Sequence, residues 1–268
     1  MIPSVASVPE LFRPEIGLAA LELGRISGVV AVSPIPWSNT PARVKVGLVL
    51  FLLLAVHGHG QAHVAQPLGD IPSAAWAASN IATEFIIGLS IGMVVRLSVV
   101  VAEIAGSAVA MPMGFSAAQA FDPTMGSMDN ALTRMFRQLA LLIALITGLH
   151  RAMLGTLLSS FRIVPVGSPA HVEATFPLFL ELGAHVIGVG IQLALPLLSV
   201  LLMANVALAF VARAAPTMQI FNVGFAVLLA TGAAVLVMSL PDMSRELAIG
   251  YDKNARFLER LLVELAGR

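Results

Sequence analysis

The chain contains no cysteine, which excludes disulfides, thiolate metal sites and cysteine nucleophiles and leaves the redox compartment without a signature. Charge is scarce as well: Asp, Glu, Lys and Arg make up 11% of its 268 residues, against roughly 25% in soluble domains. With 58% apolar residues, the chain belongs in or against a membrane. Zero net charge and 6% aromatics supply neither the field nor the stacking platforms that nucleic acid requires, so no nucleic-acid partner is expected. The amino terminus, MIPSVASVPELFRPEIG, lacks the basic segment and compact apolar core of a cleavable signal, and insertion is expected to rely on the mature apolar segments. No G-x-S-x-G, H-E-x-x-H or glycine-rich phosphate loop occurs; no catalytic residue and no cofactor are expected.

What is present is a series of six apolar segments, at 16–32, 46–56, 76–101, 139–149, 182–211 and 223–240. The first carries Glu22 and Arg25, whose three-residue spacing on a helix predicts a mutually neutralised pair facing protein. A proline-rich turn, 33–45, presents Arg43 and Lys45 as a basic edge. The segment that follows has only eleven residues, about half of what a bilayer helix needs. His57, His59 and His63 in HGHGQAH have a spacing that could serve a metal. No carboxylate lies nearby to orient a ring, so the reading is an exposed loop. The third segment carries Gly88-x-x-x-Gly92 and the first carries Gly24-x-x-x-Gly28, spacings that let helix backbones approach closely. Glu84, Arg96 and Glu103 sit at a depth where charge must be paired or must face protein or water. The run 159–181, with Pro165, Gly167, Pro169 and Pro177, predicts a connecting loop. Pro196 should kink or break the fifth segment. The tail, 242–268, places Leu247, Tyr251, Leu258, Leu262 and Leu265 on one stripe, an amphipathic helix for a membrane surface or a partner.

The stretch 111–137, MPMGFSAAQAFDPTMGSMDNALTRMFR, stands apart. It gathers five of the twelve methionines, and no Lys or Arg occurs from Leu97 to Thr133. A plain linker is shorter and polar. A helix is expected to begin near Asp129, with Arg134 and Arg137 on one face a turn later.

The basic residues conflict with six spans. If Arg43 and Lys45 are cytoplasmic, strict alternation puts the basic tail outside, against the positive-inside tendency. Treating 46–56 as non-spanning removes the conflict and puts the cation-free stretch on the far side. Burial of several segments in a protein assembly also accounts for Glu22, Arg25, Arg96 and Arg134. The expected fold is all-α and integral to the membrane, with about six apolar helical segments, some broken or non-spanning.

Four blocks, NTPARVKVGL (39–48), EFIIGLSIG (84–92), AEIAGSAVAMPMGFSAAQAFDP (102–123) and ANVALAFVARAAPTMQIFNVGF (204–225), resemble the FliR/SctT family of type III export-gate proteins, in order and spacing over nearly the whole chain. The flagellar branch fits better than the injectisome branch. The resemblance implies a single copy packed in a helical gate with the flagellar P and Q subunits (FliP, FliQ), and the B subunit (FlhB) near the cytoplasmic entrance. Unfolded exported polypeptides would pass through the centre. It implies one membrane domain in the bacterial inner membrane, within the flagellar basal body and raised partly toward the periplasm, in contact with membrane lipid. It also implies a pore-plug loop at 102–131, with Met111, Met113, Gly114, Phe115, Phe121, Asp122, Pro123 and Met125 as plug residues; flexible thioethers suit such a seal. Buried polar or packing roles are expected for Glu22, Arg25, Arg43, Gly88, Gly92, Arg96, Glu103, Arg134, Arg137, Asn205, Arg213 and Pro216. The pair Glu22 and Arg25 and the long charged tail depart from the family pattern. The rival reading is a secondary transporter of a small solute, for which broken helices and intramembrane charges also speak; no matched interrupted segments in two halves support it.

Overall fold

The computed structural model describes residues 14–34, 41–58, 74–114, 131–214 and 220–267. Seven α-helices follow one another among them: α1 Pro14–Val32, α2 Ala42–Gly58, α3 Ala74–Ala110, α4 Ala131–Ile146, α5 Leu149–Ile163, α6 Phe176–Ala214 and α7 Ile220–Leu265. A 3₁₀ turn, Val172–Thr175, precedes α6. Trp76–Ala110, Val172–Ala214 and Val223–Leu265 are long and apolar enough to cross a membrane, and a fourth span results if α4 and α5 count as one broken pair. This is an all-α membrane protein.

Several boundaries differ from expectation. Arg43 and Lys45 lie inside α2, not in the turn before it. The helix has 17 residues, about 25 Å at the usual rise, short of a hydrocarbon core of about 30 Å. α3 runs nine residues past the expected end, so 102–110 of the expected plug loop are helical. The loop expected at 159–181 shrinks at both ends. α5 continues to Ile163, and Pro177 falls in the first turn of α6, where a missing N–H costs no helical bond. Between α4 and α5 the helix stops at Gly148, whose φ of +81° favours glycine. Pro196 does not break α6, nor does Pro241 break α7. Each proline removes one hydrogen bond from a long helix that continues on both sides of it.

The chain divides into two compact units, one of Met1–Arg96, Gly148–Glu181 and Lys253–Arg268, the other of Leu97–Thr147 and Leu182–Asp252. In the first, Leu258, Leu261, Leu262 and Leu265 are buried, and the His171 N–H donates to the Leu265 carbonyl at 3.2 Å. In the second, Met243, Leu247 and Tyr251 are buried, and the Tyr251 hydroxyl donates to the Ala140 carbonyl at 3.0 Å. The apolar stripe of the tail is therefore covered by the chain itself. Neither a membrane surface nor a partner is needed to explain it.

Candidate functional site

Each unit holds one arrangement of paired charges and close helix packing. In the first unit α1 and α3 cross where both small-residue motifs meet. A Cβ added at Gly88 would overlap the Arg25 carbonyl oxygen, and one at Gly28 would overlap the Phe85 carbonyl oxygen. Gly24 and Gly92 are close as well, with Ile81 O 3.1 Å and Val29 O 2.8 Å from their added Cβ atoms. Backbone against backbone is the contact that glycine at four-residue spacing permits.

That crossing fixes the partner of Arg25. Its Nε donates to Glu84 Oε2 at 2.6 Å, and its Nη1 donates to Ser160 Oγ at 3.2 Å and to the Val164 carbonyl at 3.0 Å. The guanidinium carbon stands 4.7 Å from the centre of the Phe161 ring, a cation–π contact. Glu84 Oε1 accepts the Gly167 N–H at 2.9 Å. Both charged side chains are buried. The expected Glu22–Arg25 pair does not form. Glu22 instead shares a hydrogen bond of 3.1 Å with His57 of α2. The i to i+3 spacing puts the two charges on one helix, but the glycine crossing brings Arg25 a carboxylate from α3 together with the Ser160 hydroxyl and the Val164 carbonyl. Ser160 and Phe161 carry no signal in the sequence that marks them as partners; Gly167, at φ +74°, lies in the proline- and glycine-rich run expected to form a loop. His59 and His63 lie outside the described residues.

In the second unit Glu103 of α3 accepts from Arg137 Nε of α4 at 2.7 Å. The Phe136 side chain packs on Gly106, where an added Cβ would stand 3.0 Å from Phe136 Cβ, so α3 and α4 are tied by packing and by charge. Arg137 thus pairs inside the chain, whereas Arg134 is exposed. Arg43 and Arg213 are exposed in the chain by itself too. Arg96 is half-buried and Asn205 half-buried. Beyond Ala110 the chain makes a turn at 111–114. Met111 is 72% exposed and Met113 only 2%, so neighbouring methionines of the expected plug differ in kind. Phe115, Phe121, Asp122, Pro123 and Met125, the expected cap Asp129, and Pro216 lie outside the described residues.

Comparison with known proteins gives this architecture its family. Residues 16–251 match the model of bacterial export proteins, family 1. The chain is 30% identical over 241 residues to the flagellar biosynthetic protein FliR of Pectobacterium carotovorum, covering 87% of this chain and 85% of that one. It is 28% identical over 219 residues to FliR of Escherichia coli, covering 81% and 82%. With FliR of Caulobacter vibrioides it shares 28% identity over 232 residues, covering 86% and 91%. An all-α membrane chain that matches this model from α1 into α7, and aligns with FliR proteins over most of both lengths, belongs to the FliR family of bacterial export proteins.

Proposed function

We propose that this chain is the FliR subunit of a flagellar type III export gate. In this reading it packs with FliP and FliQ subunits, and near FlhB, around a channel for unfolded flagellar substrates, and the stretch beyond Met111 plugs that channel. The gate stands in the bacterial inner membrane at the flagellar basal body, raised toward the periplasm. The observation that carries the reading is the family match with relatives named flagellar biosynthetic proteins, over more than four-fifths of this chain. The bare surface of the chain is in keeping with it. Within the most apolar window of α7 only 11% of residues are buried by the chain, and Val237 and Met238 there are at least 66% exposed. Such a face needs lipid or protein against it.

Deleting 114–123 tests the plug. Complexes carrying the deletion should assemble and leak small solutes across the membrane, measured as solute influx into vesicles; an assembled complex that stays tight removes the plug role. Purification tests the gate. The chain should copurify in a large hetero-oligomer, whereas a transporter would be stable alone and bind a small solute. The short helix α2 supplies a further check. Since it is about 5 Å too short for the bilayer core, single cysteines at Lys45→Cys and His57→Cys should both be labelled by an impermeant reagent from the same side. Labelling from opposite sides would make α2 a span.

A further inference from the structure

The end of α3 is fastened in a way that its Met-rich sequence does not announce. The Met113 N–H donates to the Val109 carbonyl at 3.4 Å, and the Gly114 N–H donates to the Met111 carbonyl at 3.1 Å. Gly114 has φ +85°, so the chain leaves the helix by a turn that favours glycine. Two further elements grip that turn. Asn205 of α6 donates from Nδ2 to the Pro112 carbonyl at 3.4 Å and to its own-helix Leu201 carbonyl at 2.9 Å. Gly232 of α7 leaves a notch that the Met113 side chain fills: a Cβ there would overlap Met113 Cε, with Sδ at 2.8 Å and Cγ at 3.1 Å. Phe225, about two turns earlier on α7, has its ring 3.1 Å from where a Cβ on Gly114 would stand.

We infer that Met113, Asn205 and Gly232 form a clamp on the root of the Met-rich stretch, and that Met113 is a positioning residue held in α7, not a residue that fills the channel. The inference rests on the plug reading above for its consequence, but not for its geometry. A seal that must yield to a polypeptide and return needs a fixed end, because a loop free at both ends loses its register with the pore each time it is displaced. Methionine suits the fixed end: it is long enough to reach the notch and adapts to its shape. Glycine at 232 leaves the thioether its room, and a large side chain there would compete for the volume it uses. Met111, exposed and two residues earlier, is free of this duty.

Because the chain has no cysteine of its own, Met113→Cys with Gly232→Cys gives a defined readout in the intact complex in membranes. Met113 Cγ already lies where a cysteine sulfur would stand opposite residue 232, so mild oxidation should link the turn after α3 to α7. No link in the assembled complex overturns the clamp. The functional arm is Gly232→Leu, which expels Met113 and should raise leak of small solutes about five- to tenfold, the scale of a modest coupling between two sites. Adding Met113→Ala to Gly232→Leu lets leucine fill the vacated space and should return leak to the wild-type level. Where Gly232→Leu does not assemble, Asn205→Ala, which deletes a donor without adding volume, carries the same measurement. If deletion of 114–123 leaks while Gly232→Leu and Asn205→Ala stay tight, the plug stands and the clamp is wrong. If the deletion itself stays tight, the plug reading falls, and the cross-link alone decides whether the clamp exists.

Discussion

Glu84→Ala should destabilise the first unit by about 3–5 kcal/mol, the usual cost of removing one partner from a buried ion pair, and should deplete folded chain from membranes. The Arg25 guanidinium is fully buried, with Glu84 as its one carboxylate partner among the described residues. Its Nη2 already has no hydrogen-bond partner there, so it has no unused acceptor to turn to. Ser160, the Val164 carbonyl and the Phe161 ring would remain, but these solvate a cation only in part. The same change orphans the Gly167 N–H, which donates to Glu84 Oε1. Truncating the charge on both sides separates the two contributions. Arg25→Met together with Glu84→Leu restores an apolar contact of similar volume and should recover most of the loss. Thermal unfolding of the detergent-solubilised protein, read by proteolysis, measures both variants. A Glu84→Ala protein as stable as wild type would show that the pair contributes nothing.

This network also shows how far the sequence could be read. That Glu22, Arg25 and Glu84 must be paired follows from charge inside apolar helices, and all three are indeed partnered. Which partner each takes does not follow, because it is set by a helix crossing. The two small-residue motifs were both visible at 24–28 and 88–92, yet nothing in either names the other as its mate. Only their contact brings Arg25 opposite Glu84 and leaves Glu22 to His57. The six apolar segments were legible for the same reason that their ends were not: composition reports what lipid or protein must cover, while helix ends depend on particular turns such as Gly148. The tail stripe was legible as a stripe, but the surface that covers it is assembled from residues distant in sequence. In the candidate site, the stretch from Met111 stood out by its methionines and its missing cations. The role of Met113 stayed hidden, since its notch is one of three glycines on α7 and nothing in the sequence marks which of them faces Met113. Arg43 and Arg213 fall in blocks that identify the family, and a block of residues carries position in the chain without carrying burial.

The second large effect belongs to the crossing itself. Gly88→Val should abolish accumulation of the folded chain, and even Gly88→Ala should cost more than about 4 kcal/mol, the range reserved for changes the structure cannot absorb. The reason lies in what the new Cβ would meet. Besides the Arg25 carbonyl oxygen, it would lie 2.8 Å from the Arg25 carbonyl carbon and 3.1 Å from the Val29 nitrogen. All three are backbone atoms of α1, so no side chain can rotate away. From the opposite side, a Cβ on Gly28 would lie 2.7 Å from the Leu89 nitrogen and 3.1 Å from the Gly88 carbonyl carbon, so the approach is close on both helices. The helices would have to separate, and the separation would draw Arg25 away from Glu84, adding loss of the ion pair to loss of packing. The control is Gly155→Ala in α5, in the same unit, where an added Cβ meets nothing within 4 Å. There alanine should be neutral or stabilising by up to about 1 kcal/mol, because it favours the helix over glycine. Equal stability of Gly88→Ala and Gly155→Ala, measured by the same thermal proteolysis, would mean that α1 and α3 do not meet backbone to backbone, and the pairing of Arg25 with Glu84 would lose its structural cause.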